Sequence, residues 1–267
     1  MPILFTLVFL IPMVYSETLS IILVTAPYKR KNTLDRSMRD LYEALHYIPK
    51  DLTISKFYFV QGCVTECQFP KLDAYVANFS ESFKNINFVK INPHPQDKHG
   101  TNISSWPPEV LSTTFHRTGK PDWIFPNYVK HMTLNFFFTD TLRIAIKETQ
   151  SDYYLFCEDD QSYEKNAFDG VLELMRRKPV KRCFSKICLT RTSAFSKKMR
   201  VDPSVKRVWG AFGVLRDKSE ALEFLRWIKF NYMSESQDTL GEYMCMTENK
   251  FVELNLVSRH FGFDRNV

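Results

Sequence analysis

The sequence predicts an α/β fold: a mixed, mostly parallel sheet flanked by helices and built as a single domain. Three observations carry this expectation. Leu19–Thr25 is a near-continuous apolar run, the pattern of a strand covered on both faces. Strand-like and helix-like segments then alternate, which makes a parallel sheet the default arrangement. A second apolar run, Tyr153-Tyr154-Leu155-Phe156-Cys157, stops abruptly at Glu158-Asp159-Asp160. It reads as a buried strand with carboxylates at its C-terminal edge. At 267 residues the chain can bury a full core within one domain.

The remaining elements follow in order. The first strand ends in Ala26-Pro27-Tyr28-Lys29-Arg30, and a helical pattern runs through Leu34, Met38, Leu41 and Leu45. Leu52–Val60 alternates and is rich in aromatics, a second strand; Lys71–Phe83 reads as helix and Ile86–Ile91 as a third strand. Residues 92–127 differ, because Pro93, Pro95, Pro107, Pro108, Pro121 and Pro126 break regular structure while Trp106 and Trp123 sit among them. A stretch this long without regular structure is expected to be a packed flap or insertion over a cleft. Thr133–Thr149 reads as a helix leading into the carboxylate-ended strand, and Asn166–Arg177 as an amphipathic helix. Ser185–Thr190 and Val208–Leu215 are strands, Ser219–Phe230 and Asp238–Thr247 helices, and Phe251–Val257 a last strand.

Composition narrows the function classes. Hydrophobic content of 44% with only 8 glycines excludes disordered and collagen-like chains. The net charge of +6 suits an anionic ligand, but the basic residues form no long run, so no nucleic-acid role is expected. Residues 1–16 are apolar, uncharged and end in Ser16, a pattern expected of a signal peptide or a short N-terminal anchor. Any membrane association is therefore expected through the N-terminus alone. Asn78-Phe79-Ser80 and Asn102-Ile103-Ser104 are glycosylation sequons, and six cysteines are compatible with disulfides. Together these point to the secretory pathway, in the Golgi or ER lumen or beyond the cell. Cys63/Cys67 and Cys183/Cys188 are the close pairs, but spacing leaves the connectivity open. Neither pair has the His or Cys array of a zinc site, and Cys157 reads as a small buried residue.

Glu158-Asp159-Asp160 carries the chemistry. In open α/β sheets ligands bind beyond the carboxyl ends of the strands, where this triplet stands. Carboxylate oxygens are hard ligands suited to Mg²⁺ or Mn²⁺, which one or two side chains plus substrate phosphates usually hold. The order strand–VTAPYKR–helix, then DYYLFCEDD, then ELNLVSRHFG resembles the GT-A-fold glycosyltransferases. Within them it is similar to N-acetylglucosaminyltransferase IV, which branches N-glycans, and to the N-acetylgalactosaminyltransferase that decorates GPI anchors.

The resemblance implies a GT-A, Rossmann-like domain over residues 17–267. It implies inverting transfer of GlcNAc or GalNAc from a UDP-sugar to a glycan acceptor, an N-glycan or GPI glycan, with Mn²⁺ or Mg²⁺ as cofactor. It assigns Thr25, Arg30, Glu158 and Asp159 to the nucleotide sugar, and Asp160 and His260 to the metal and diphosphate. Asp238 becomes the base that deprotonates the acceptor, with Glu242 as second choice; at four residues' spacing the two share a helix face. The alternative reading is a secreted GT-A-like protein that binds a glycan or nucleotide sugar without turnover.

Overall fold

The computed structural model describes residues 16–25, 33–61, 69–91, 138–177, 181–188, 198–201, 213–231, 241 and 244–260, with 198–201, 229–231 and 260 described by their backbone alone. The chain runs β1 (Glu17–Thr25), α1 (Thr33–Leu45), β2 (Leu52–Gln61), α2 (Pro70–Ser82) and β3 (Phe88–Ile91). The helical residues 138–148, here α3, lead to β4 (Tyr153–Glu158), β5 (Gln161–Tyr163) and α4 (Ala167–Arg177). Then come β6 (Arg182–Lys186), β7 (Lys198–Val201), β8 (Val214–Asp217), α5 (Lys218–Asn231), β9 (Phe251–Asn255) and β10 (Ser258–His260).

Eight strands form one sheet in the order β3-β2-β1-β4-β8-β6-β9-β7, and β5 pairs with β10 in a separate ribbon. β1, β2, β3 and β4 are mutually parallel, whereas β8 is antiparallel to both of its neighbours. β9 is parallel to β6, and β7 closes the far side antiparallel to β9. The sheet is thus mixed and mostly parallel, as the alternating pattern implied.

Both faces are covered, which explains the unbroken apolarity of β1. Ile21 and Leu23 enter a core shared with α1, α2 and α4, while Ile22 and Val24 enter one shared with α3 and α5. Polar bonds at the lower end set the register. Thr18 donates from its backbone N and its hydroxyl to Asp152 Oδ2 (3.1 and 2.6 Å), and the Asp152 N–H donates back to Thr18 Oγ1 (2.9 Å). Ser20, fully buried in β1, pairs with Ser151 and Thr149 at 2.8 and 3.1 Å. These contacts hold Leu19 opposite Tyr153 and, five residues on, Val24 opposite Glu158.

The second half departs from the sequence pattern. β6 starts at Arg182, three residues before the expected strand, because a buried ion network replaces the apolar signal there. Arg182 Nε donates to Glu220 Oε1 at 2.8 Å and Nη1 to the Leu174 carbonyl at 2.8 Å, with Glu253 3.9 Å away. Glu220 also closes the start of α5: its Oε2 accepts from the Asp217 N–H, and Asp217 Oδ1 accepts from the Glu220 N–H, each at 2.8 Å. That reciprocal pair is a capping box with Asp as the cap. β8 begins later than expected, entered through Gly213 at φ 62°, where an added Cβ would lie 2.8 Å from Cys188 Cβ. Only glycine suits both the backbone angle and the space.

Cys183 is bonded to Cys245, 62 residues on, and not to its close neighbour Cys188. Cys157 and Cys188 are buried thiols outside that disulfide. Burial pushes their thiols up to about 12 and about 11 respectively. Asn78 is exposed on α2, with Phe79 buried behind it. Asn102, Cys63, Cys67 and residues 92–127 lie outside the described residues. So does the N-terminal segment up to residue 15, whereas Ser16 already pairs with Thr53 Oγ1 at 2.8 Å. No helix among the described residues is long and apolar enough to cross a membrane.

Two outcomes follow from this packing. Arg182→Met removes the guanidinium bonded to buried Glu220 and leaves Glu253 to Arg177, 3.5 Å away; it should lower stability in urea titrations by about 3–5 kcal/mol. Cys157 and Cys188 should resist iodoacetamide at pH 8 in the native protein and react once unfolded, as read by peptide mass mapping.

Candidate functional site

The sheet order reverses between β1 and β4. From β1 the chain moves outward through β2 to β3, then returns to lay β4 on the opposite side of β1. β1 and β4 thus end side by side, parallel, where the strand order reverses, the usual ligand position in such folds. Register places Thr25 and Glu158 at that rim, since Val24 is the partner of Glu158. Glu158, Asp159 and Asp160 therefore stand beside the mouth of β1.

The three carboxylates differ in exposure. Glu158 and Asp159 are half-buried, while Asp160 is 7% exposed and points inward. Residues 159–160 form a turn that is closed from Gln161, whose Oε1 accepts the Glu158 N–H at 2.8 Å. β5 then leaves the turn and pairs antiparallel with β10, setting Gln161 opposite His260, Ser162 opposite Arg259 and Tyr163 opposite Ser258. The backbone of His260 is therefore one ladder position from Asp160; its side chain lies outside the described residues.

The C-terminal strand reaches this point by crossing the top of β6. The Val257 and Ser258 N–H groups both donate to the Ile187 carbonyl at 3.0 Å, and the Glu164 N–H donates to the Val257 carbonyl at 3.0 Å. Gly170 lets α4 approach closely enough for this: a Cβ there would lie 2.6 Å from Val257 Cγ1. Asn255 Nδ2 secures the contact by donating to the Gly170 carbonyl at 3.1 Å.

The other expected site residues divide. Thr25 is fully buried and donates its hydroxyl to the Val60 carbonyl at 2.9 Å, so it anchors the rim to β2. Arg30, Asp238 and Glu242 lie outside the described residues. Gly241, next to Glu242 in sequence, is buried against Arg216 and Phe184.

Several buried polar residues carry no signal in the sequence pattern that would mark them as buried. Gln161 and Ser258 are buried, and Lys186 is fully buried in β6. Arg216 lies between the rings of Phe184 and Phe224, at 4.5 and 4.2 Å, and burial draws its guanidinium down to about 10. Gln161 follows the acidic triplet directly, and that adjacency was the available signal. Arg216 and Lys186 carried none, because a charge inside a strand reads as a solvent-facing position.

Among the described residues no three His, Cys, Asp or Glu side chains converge as a complete metal cage. The donor set still fits a hard divalent cation. A buried carboxylate and two half-buried ones on one turn offer oxygen ligands, and such cations commonly take only one or two from protein.

No family model matches this sequence, and no curated protein matches it either. Among solved structures, S. aureus TarS 1-349 matches with a TM-score of 0.44 and 9% identity over 90% of this chain and 60% of that one. The same fragment in complex with UDP-GlcNAc matches with a TM-score of 0.44 and 11% identity, over 91% and 58%. The chain thus spans about 60% of the TarS fragment's length. Mouse xyloside xylosyltransferase 1, apo form, matches at 9% identity over 94% of this chain and 99% of that one, with a TM-score of 0.50. That last likeness, end to end on both chains, is one of fold: the sheet and its flanking helices are of the GT-A glycosyltransferase type.

Proposed function

We propose that this protein is a glycosyltransferase of the secretory pathway that moves N-acetylhexosamine, GlcNAc or GalNAc, from a UDP-sugar to a glycan acceptor with inversion. The observation that carries the proposal is the acidic turn at the strand-order reversal, with the C-terminal strand laddered onto it. The GT-A-type sheet and the Glu-Asp-Asp and late His-x-Gly motifs of the sequence support the reading. The secretory assignment is supported by the Cys183–Cys245 disulfide, which favours an oxidising compartment, and by the apolar leader and the sequons.

Each residue then has a task. Asp160 and His260 would hold Mn²⁺ or Mg²⁺, which supplies Lewis-acid neutralisation of charge on the departing diphosphate. Arg30, which follows β1 in sequence, receives the nucleotide, and Thr25, its hydroxyl held by the Val60 carbonyl, supports the rim beneath it. Glu158 and Asp159 hydrogen-bond ribose and sugar hydroxyls, orienting C1 of the donor toward the acceptor. Asp238 takes the proton from the attacking hydroxyl as the new glycosidic bond forms and the bond to UDP breaks; Glu242 is the second choice. The acceptor is an N-glycan or a GPI glycan, the two substrates of the families the sequence resembles.

The test is UDP release from a panel of UDP-sugars with Mn²⁺, with and without glycan acceptors. Acceptor-dependent release is expected, lost on chelation with EDTA and restored by Mn²⁺. Asp160→Ala should lower it by about 100-fold or more, the scale of losing one charge-stabilising contact in an active site. Binding of a UDP-sugar without turnover across a broad acceptor panel would establish the non-catalytic alternative instead.

Asp238→Asn should cut transfer about 100-fold or more while leaving UDP-sugar affinity, read by calorimetry, within about twofold. If Asp238→Asn and Glu242→Gln both keep full activity, the base lies elsewhere.

A further inference from the structure

We propose that Gln161 is the positioning residue of the acidic turn, coupling the carboxylates of β4 to the C-terminal strand that carries His260. The inference deepens the transferase reading and rests on it. Gln161 is fully buried, directly after Asp160, and its amide spans the two halves of the site. Oε1 accepts the Glu158 N–H at 2.8 Å and lies 3.5 Å from the Tyr163 hydroxyl, while Nε2 donates to Ser258 Oγ at 3.2 Å. Ser258 Oγ in turn donates to the Ile187 carbonyl at the end of β6, at 3.4 Å. One continuous relay therefore runs from the turn, through Gln161 and Ser258, to a third strand.

The chemistry of the amide explains why glutamine suits this position. Its carbonyl and NH₂ ends are distinct, so it can accept from one strand and donate to another at once. A carboxylate could not donate to Ser258, and an aliphatic side chain would leave the Glu158 N–H without its partner. The backbone repeats the link, because Gln161 is the ladder partner of His260. Shifting this one amide would move Glu158–Asp160 relative to the C-terminal strand, the two halves that the proposed cation must bridge. Residues that orient metal ligands from behind typically change metal affinity about 10–100-fold when removed.

The test uses the full chain, with Mn²⁺ binding in the presence of UDP followed by the free-Mn²⁺ electron paramagnetic resonance signal. Gln161→Met keeps the shape and deletes the amide's hydrogen bonds, and is expected to weaken Mn²⁺ binding about 10–100-fold. Ser258→Ala removes the anchor and is expected to act in the same direction by about 5–10-fold. The double variant should be little worse than Gln161→Met, because both act through one relay. UDP affinity in EDTA should stay within about twofold for all three, which a general loss of structure would not allow.

Mn²⁺ affinity held within about twofold in either single variant, or losses that simply add, would overturn the proposal. So would a lower melting temperature with Mn²⁺ affinity unchanged. If Gln161→Met does not fold, Ser258→Ala decides by the same criterion. Absence of Mn²⁺-dependent UDP binding in the unsubstituted protein would overturn the transferase reading itself, a result distinct from normal binding that is insensitive to Gln161.

Discussion

The parallel pairing of β1 with β4 is the constraint on which the rest depends. Two strands that are neighbours in space but 134 positions apart at Val24 and Glu158 must meet in one register, because a slip by one residue would turn every side chain to the opposite face. The apolar alternation of β1 into two cores enforces this from both sides. The Thr18–Asp152 and Ser20–Ser151 bonds enforce it from below. Because the lower end is fixed by directional bonds, the upper end has no freedom in where it sets the carboxylates. The position of the acidic turn is a consequence of packing further down the sheet.

The C-terminal segment is the second half of that logic. After β9 the chain does not leave the domain; it crosses the end of β6 and pairs with β5. The crossing is held by bonds to the Ile187 carbonyl and by the close approach of α4 at Gly170. Residues about a hundred positions apart are thereby laddered together at the rim, Gln161 with His260. The Cys183–Cys245 bond makes a comparable long-range tie on the other face, where Gly241 packs on Arg216 and Phe184.

What could be read from the residues depended on how far a signal reached along the chain. β1, β2, β4, α1, α2 and α5 were legible because their periodicity is local and their burial is apolar. The acidic turn was legible for the same reason: an apolar strand ending in carboxylates is a contrast visible within nine residues. β5, β7 and β10 were not, since they are three or four residues long and exist through their partners. The start of β6 was hidden because Arg182 is buried by ion pairing, which mimics a surface residue in sequence. The disulfide was equally opaque, for proximity across the fold leaves no mark on spacing. Asp160 and His260 could be named from motif resemblance; that their backbones lie side by side required the β5–β10 ladder.

The distribution of buried charge separates framework from site. Arg182, Glu220 and Glu253 form a network at the lower end of β6, β8 and β9 in which each named contact is made within the protein. Buried pairs of this kind confer little net stability over apolar packing, but they specify which strands and helix ends may meet. At the rim, by contrast, the described clamp on the acidic turn is a neutral amide and a hydroxyl. The amide accepts from the turn and donates to Ser258 without bringing a charge of its own. Bonds of this kind fix the shape of a turn from behind, the part a supporting layer of side chains plays for the groups in front of it.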